Sequence, residues 1–563
     1  MTDTTTLRTQ TPSLSEVGTP WTLGPVLVFG FGTAVAMWCV WFASHLPQHD
    51  LPPSVAGPLQ LAVLIAGMIL CGRSAGREHA RGKAGLIGLL AGLTAAVLNL
   101  LLLGSKVVPQ NTGTPAAEFE SFATQAPAAR TITDLTPDAW VMVLGFVGLL
   151  AVIGLLGGLI GAATVGRSAE PLERRVWIGR FAGVVAAAFL PLLLVGGLVT
   201  STKSGMAVPD WPTTYGGNMF LYPIGLMTNP HIFLEHSHRL FGSLVGLCTL
   251  TLTLSILFAL GRESRKLGWV VIAGAVVLIG VLFSPWVKSH LWAAWIIGLV
   301  AAALLGVVGA ALRADPWRVV KVVGLVVFLA VCIQGFIGGL RVDKNSLGYA
   351  ILHGVTAQLV FAAAVALAGM LVFPKLASLQ GARNDWAWTI AWVTLGSLVL
   401  QLVLGAVYRH EKHVHALYMH ILFSFAVIGL THVLVFRVRK LARDFAPALA
   451  LARPARVIGV GVLACVGLQF VLGWVVFLVV MKAKQDPTWA AIPTADQIAQ
   501  AAPVPLIEAV TRTAHQANGA LLLGLVTLTA VLAVRAARGA GKPLPPNASP
   551  TLAASSSSAA PAR

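Results

Sequence analysis

Apolar stretches of about 20 residues, separated by short polar segments, follow one another along almost the whole chain. That is the length an α-helix needs to cross a hydrocarbon layer of about 30 Å. A transmembrane barrel would instead alternate apolar and polar positions in segments of about ten residues. The pattern predicts an all-α polytopic membrane protein with about fourteen spanning helices. They fall at roughly 23–46, 57–72, 84–104, 139–166, 177–199, 232–260, 269–286, 291–312, 319–340, 349–373, 387–407, 415–436, 457–480 and 506–534. The polar segment 1–22 reads as an N-terminal tail with no cleavable signal, and 539–563, rich in Ala, Ser and Pro, as a disordered tail.

Composition agrees with the pattern. Hydrophobic residues make up 56% of the 563 and charged residues only 11%, and a soluble domain holds far more charge. The net charge of +18 does not signal nucleic acid, because the basic residues are scattered through short loops. They alternate with nearly uncharged loops: Arg73, Arg77, Arg81 and Lys83, then Arg167, Arg174, Arg175 and Arg180, then Arg262, Arg265 and Lys266, then Arg313, Arg318 and Lys321. Lys375 and Arg383, the group from Arg437 to Arg456, and Arg535, Arg538 and Lys542 continue the series. By the positive-inside rule these loops and both termini are cytoplasmic, which suits a bacterial inner membrane. All five cysteines lie in apolar runs, so neither a thiolate metal site nor a disulfide is expected.

Polar residues inside such helices are costly and mark candidate function. The stretch Glu235-His236-Ser237-His238-Arg239 opens the sixth apolar run, with Glu235 and His238 three apart and so on one helical face. His353, His420 and His515 stand at matching depth in three other even-numbered runs, near the extracytoplasmic ends. A small residue follows each histidine by one turn: Gly242, Ala357, Ser424 and Gly519. A macrocycle bound edge-on to an imidazole needs that turn cleared, so four such helices could hold heme. Any one of these histidines alone reads better as a polar residue satisfied within a bundle; four at one depth reverse that balance.

Each histidine run is preceded by a run ending in glycine: Gly196-Gly197, Gln334 to Gly339, Gln401 to Gly405 and Gln469 to Gly473. Gln334 to His353 and Gln401 to His420 share one offset. The repeat predicts four related helix hairpins and a core of two pseudo-symmetric four-helix bundles, although close helix packing by itself also favours such glycines. The chain then divides into the tail 1–22, a four-helix extension at 23–166, a core at 177–535 with an inserted helix pair at about 269–312, and the tail 539–563.

These motifs resemble the heme A synthase family. Glu235-His236-Ser237-His238-Arg239 is similar to its ExxHR signature, and Gly196 to Met206, continuing to Asp210-Trp211-Pro212, to its first outer segment. Gln334 to Val342 and Thr513 to Ala520 resemble two further motifs, so the likeness covers about 180–535. It implies that His238 with His353, and His420 with His515, ligate heme iron. One half would receive the substrate heme O, placed at the Glu235 half, and the other would hold a heme b cofactor. The implied reaction oxidises the C8 methyl of heme O to the formyl of heme A, with the oxygen drawn from water. The chain departs from the family in three ways: it lacks an outer-loop cysteine pair, and it carries the inserted pair and the four leading helices.

Glu235 can take a proton or stabilise developing positive charge; a salt bridge to Arg239 or Arg341 is the equal alternative. Arg239, Arg341 and Arg409 can pair with heme propionates, and snorkelling explains them almost as well. The cluster His410, His413 and His415 reads as solvated loop. Expected partners are membrane lipid, an electron acceptor, and heme O synthase or oxidase assembly factors at the leading helices. The competing reading is a di-heme b-type electron carrier linked to quinol, which would not need Glu235. A transporter would instead place its polar groups near the bilayer midplane.

Overall fold

The computed structural model describes residues 21–47, 50–107, 137–167, 171–222, 227, 229–261, 264–282, 292–373, 386–444, 449–483 and 505–538. The two tails, most of the loops expected at 105–138 and 481–505, His49, Arg262, Lys375, Arg383 and Lys542 lie outside these residues. Among the described residues the fold is all helical apart from short turns. It consists of α1 (Leu23–Ser44), α2 (Pro53–Gly76), α3 (Arg81–Val107), α4 (Pro137–Ala163), α5 (Arg174–Ser201), α6 (Pro230–Ala259) and α7 (Arg265–Leu282). These are followed by α8 (Trp292–Ala311), α9 (Arg318–Lys344), α10 (Leu347–Val372), α11 (Ala387–Glu411), α12 (Val414–Asp444), α13 (Leu449–Ala483) and α14 (Leu506–Arg538). Twelve of the helices are long and apolar enough to cross a membrane, which makes the chain an integral membrane protein; α7 and α8, the inserted pair, are not among the twelve.

Two closed rings of four helices form the core. Helices α5, α6, α9 and α10 pack in that order, with α10 returning to α5; α11, α12, α13 and α14 do the same, with α14 returning to α11. The rings meet where α14 lies on α5 and α10, and where α11 lies on α10. The expected pair of bundles is therefore present. Helix α7 packs on the outside of α6 and α8 on the outside of α9, so the insertion leaves the ring unbroken. Its root is fixed by Lys321, fully buried, whose ammonium donates to Ser264 Oγ at 2.7 Å and pairs with Asp315 at 2.5 Å.

Helices α1 to α4 form a further unit, crossing most tightly where α3 meets α4. There a Cβ on Gly158 would come within 2.6 Å of the Ala84 carbonyl, so only glycine permits the approach. The unit rests on the first ring through α1: Trp38 meets Phe241 edge-on at 5.5 Å and Phe42 stacks on Phe233 at 5.4 Å. The indole of Trp177, in the first turn of α5, donates to Glu78 at 3.4 Å, joining the α2–α3 turn to the core.

Local sequence sets the register of the histidine hairpins. Asn345 and Lys412 end α9 and α11 in the left-handed conformation, with φ of 42° and 60°, and each lets the chain turn back within two residues. Asn accepts this conformation at little cost, whereas Lys pays more. The shared turn explains the shared offset: Gln334 Nε2 donates to the His353 carbonyl at 3.0 Å and Gln401 Nε2 to the His420 carbonyl at 2.7 Å. Helix α6 starts at Pro230, with the Asn229 side chain accepting from the His231 amide at 2.8 Å.

Candidate functional site

The structure brings the four expected histidines together as two pairs, one per ring. His238 of α6 faces His353 of α10 with ring centroids 6.1 Å apart, and His420 of α12 faces His515 of α14 at 6.3 Å. Each imidazole lies against a glycine of the preceding helix. A Cβ on Gly196, Gly338, Gly405 or Gly473 would come within 2.8, 3.1, 2.9 or 3.3 Å of the Cε1 atom of His238, His353, His420 or His515 respectively. Any larger residue would push the ring toward its partner.

A backbone carbonyl four residues before each glycine lies on the same side. His420 Nδ1 is 3.0 Å from the Gln401 carbonyl. The carbonyls of Leu192, Gln334 and Gln469 lie beside the rings of His238, His353 and His515, without a formed hydrogen bond to Nδ1. An Nδ1–H directed at a carbonyl leaves the Nε2 lone pair as the ligating atom. This position escapes a reading based on side chains, because Leu192 serves as well as glutamine; the constant spacing to glycine is the signal that carries it.

The pairs fit an iron macrocycle. An imidazole nitrogen sits about 2.0 Å from a bound metal, so two imidazoles that would hold one iron between them stand with ring centroids about 6 Å apart. Both pairs match that span. Two ligands suit a metal that brings its own equatorial donors, and among the described residues no group of three or more His, Cys, Asp or Glu could hold a bare ion. A Cβ on Gly242 would touch nothing, leaving the turn after His238 open. In the second ring the Gln469 amide nitrogen lies 3.3 Å from His515 Nε2, held by Asn518, which donates to Gln469 Oε1 at 2.8 Å. Ligation by His515 requires this amide to turn aside.

Glu235 belongs to the first pair only. It is 4% exposed and pairs with Arg239 Nε at 3.1 Å, so the salt-bridge alternative is formed; among the described residues its Oε2 accepts no hydrogen bond. Arg239 also donates to the carbonyls of Asp210 at 2.6 Å, Thr213 at 3.0 Å and Val208 at 2.8 Å. These bonds commit most of its five N–H groups to pinning segment 202–222 over this end of the ring. Asp210 braces the same segment by accepting from the amides of Tyr215 and Gly216, each at 2.8 Å. Trp211 packs on Phe336 and Gly339 of α9, so it belongs to this cap.

The other two arginines differ. Arg341 makes one long bond, to the Gly205 carbonyl at 3.4 Å, and lies within electrostatic reach of Glu235, His238 and His353. A side chain on Gly205 would run into this guanidinium, so the glycine admits it. Arg409 donates to Gln516 Oε1 at 2.5 Å and Ser201 Oγ at 2.9 Å. The histidine cluster expected as solvated loop is only partly that: His410 is half-buried in the last turn of α11, His415 is exposed in the first turn of α12, and His413 between the helices is largely exposed and pairs with Glu411 at 3.1 Å. Comparison with protein-family models, with curated proteins and with solved structures finds no match to this chain.

Proposed function

We propose that this integral membrane protein is an oxidoreductase of the heme A synthase type, acting on heme O in the first ring and holding heme b in the second. The observation that carries the reading is the pair of facing imidazoles in each ring at 6.1 and 6.3 Å, with the buried carboxylate of Glu235 one turn from His238. His238 and His353 would hold the substrate heme, and His420 and His515 the cofactor. A bound heme supplies an iron that gains and loses electrons.

The chain's own residues account for the rest. Conversion of a methyl to a formyl with oxygen from water releases protons and electrons in equal number. Glu235 Oε2, which accepts no hydrogen bond among the described residues, is an atom that can take such a proton, while Arg239 holds the other oxygen and fixes the carboxylate's orientation. Arg341, with donors to spare, is the residue suited to bind propionate carboxylates. The setting would be a bacterial cytoplasmic membrane with the histidine ends facing outward, as the basic loops predict.

Expression of the full chain in a host that makes heme O but not heme A, with extraction and chromatography of the hemes, tests this. New heme A is expected from the wild type, and bound heme O without heme A from Glu235→Ala. The Glu235–Arg239 ion pair favours a second reading, a di-heme electron carrier in which the carboxylate only braces the cap. Heme b in both rings, with no heme A from an active preparation, would favour the carrier.

A further inference from the structure

The two rings are joined at the histidine end by a polar bridge that the sequence pattern does not reveal. Arg409 of α11 reaches Gln516 and Ser201 together. Ser201 is the last residue of α5 in the first ring, and its hydroxyl exchanges a hydrogen bond with Thr513 of α14 at 2.9 Å. Gln516 directly follows the histidine of the second pair.

The double glycine of α5 explains how the rings come so close. A Cβ on Gly196 would meet the His238 ring at 2.8 Å, while one on Gly197 would meet Thr513 Cγ2 at 3.1 Å and Gln516 Oε1 at 3.5 Å. Adjacent glycines of one helix thus face the imidazole of one ring and the bridge of the other. The contact path runs from His238 through Gly196 and Gly197 to Gln516 and His515, with Arg409 bonded at its centre. Arg409 lies within electrostatic reach of His515 and of Arg341, the residue that stands beside His238 and His353 in the first ring. Its two bonded partners, Gln516 and Ser201, are neutral, so no carboxylate among the hydrogen-bonded residues offsets it.

We propose that Arg409 is a positioning residue whose single fixed charge is shared by both histidine sites, raising the reduction potential of the two hemes together and holding the rings in register for electron exchange between them. The inference rests on the reading that both pairs bind heme. A cation near an iron centre stabilises its reduced form, and burial within the protein preserves that effect from solvent screening.

The test is a redox titration, monitored optically, of the heme-loaded full chain and its Arg409→Gln and Arg409→Lys variants. Arg409→Gln is expected to keep both six-coordinate spectra while the reduction equilibrium constant falls at both sites, by about tenfold, the scale of one unit charge in a partly shielded interior. Arg409→Lys should recover most of that loss. If Arg409→Gln fails to assemble, Gln516→Glu leaves the arginine in place, offsets its charge and should lower both potentials in the same sense. Unchanged potentials with intact spectra, or a shift at one site only, would overturn the proposal. A wild-type chain that binds no heme removes the underlying reading and this inference with it.

Discussion

The first ring sets its histidine pair beneath a segment that Arg239 pins through three carbonyls, with a carboxylate and the under-bonded Arg341 beside it. The second ring, built on the same hairpins and the same glycine contacts, sets its pair beside a neutral amide chain of Gln469 and Asn518. The two rings thus share the histidine and glycine geometry and differ in where the buried acid stands: Glu235, paired with Arg239, is one turn before His238, whereas Glu508, paired with Arg512 at 2.6 Å, is two turns before His515. A ring that merely holds a heme needs histidine, glycine and a carbonyl; a ring that alters one also needs a group that can accept a proton. On the proposed function, the first ring would carry the chemistry and the second would store electrons.

The largest effect that would sharpen this contrast is expected from Arg239→Met. It strips Glu235 of its partner inside the protein, and an uncompensated buried charge costs about 3–5 kcal/mol. The cap should loosen as well, because the same guanidinium holds its carbonyls. Limited proteolysis at 202–222 and denaturation in detergent would report both changes; unaltered stability would mean that the cap is held by other contacts. The second ring has its own buried pair, Glu508–Arg512 at 2.6 Å, so Arg512→Met should lower stability in the same sense but leave the 202–222 segment protected from proteolysis.

A smaller effect follows from the shared part of the plan. Gly405→Val would overpack the contact with His420, at a cost of about 1–3 kcal/mol, and should remove the second-ring heme while sparing the first. Gly196→Val should do the converse. Bound heme per chain, measured by pyridine hemochrome, falls to about half in each case. Loss of both hemes from either variant would show that the rings do not load independently.

The smallest effect concerns the amide beside His515. Gln469→Ala frees Nε2 of a neighbour 3.3 Å away, so the second ring should take up heme faster and with equal or higher affinity. The matched Gln401→Ala should do neither, because the Gln401 side chain bonds the His420 carbonyl and the Gln401 carbonyl beside His420 Nδ1 is kept in alanine. Stopped-flow mixing with hemin distinguishes the two.

Much of this architecture is legible in the sequence, because a bilayer accepts only long apolar helices and because histidine and glycine are costly or conspicuous there. The register of α9 with α10 and of α11 with α12 can be read from one repeated offset. Other parts leave no such mark. The Arg239 cap uses backbone carbonyls, which every residue possesses. Leu192 occupies the place that glutamine fills elsewhere, since only its main chain is needed. The Lys321–Asp315–Ser264 anchor and the seating of Trp38 and Phe42 on α6 join residues remote in sequence by shape and charge, with no periodicity to reveal them.

Helix α14 closes the second ring and also fills the groove between α5 and α10 of the first. It is the most enclosed of the spans, with 67% of its apolar window covered against at most 56% for any other. Its consequence is temporal. A ribosome delivers α14 after the other described helices, so the second ring stays open, and the first lacks its covering helix, until α14 has entered the membrane. Each newly made chain therefore passes through an interval in which His420 has no partner and the flank of α5 is bare. A truncation before Leu506 should therefore abolish the second histidine pair, which loses His515, while His238 and His353 keep the ring that holds them.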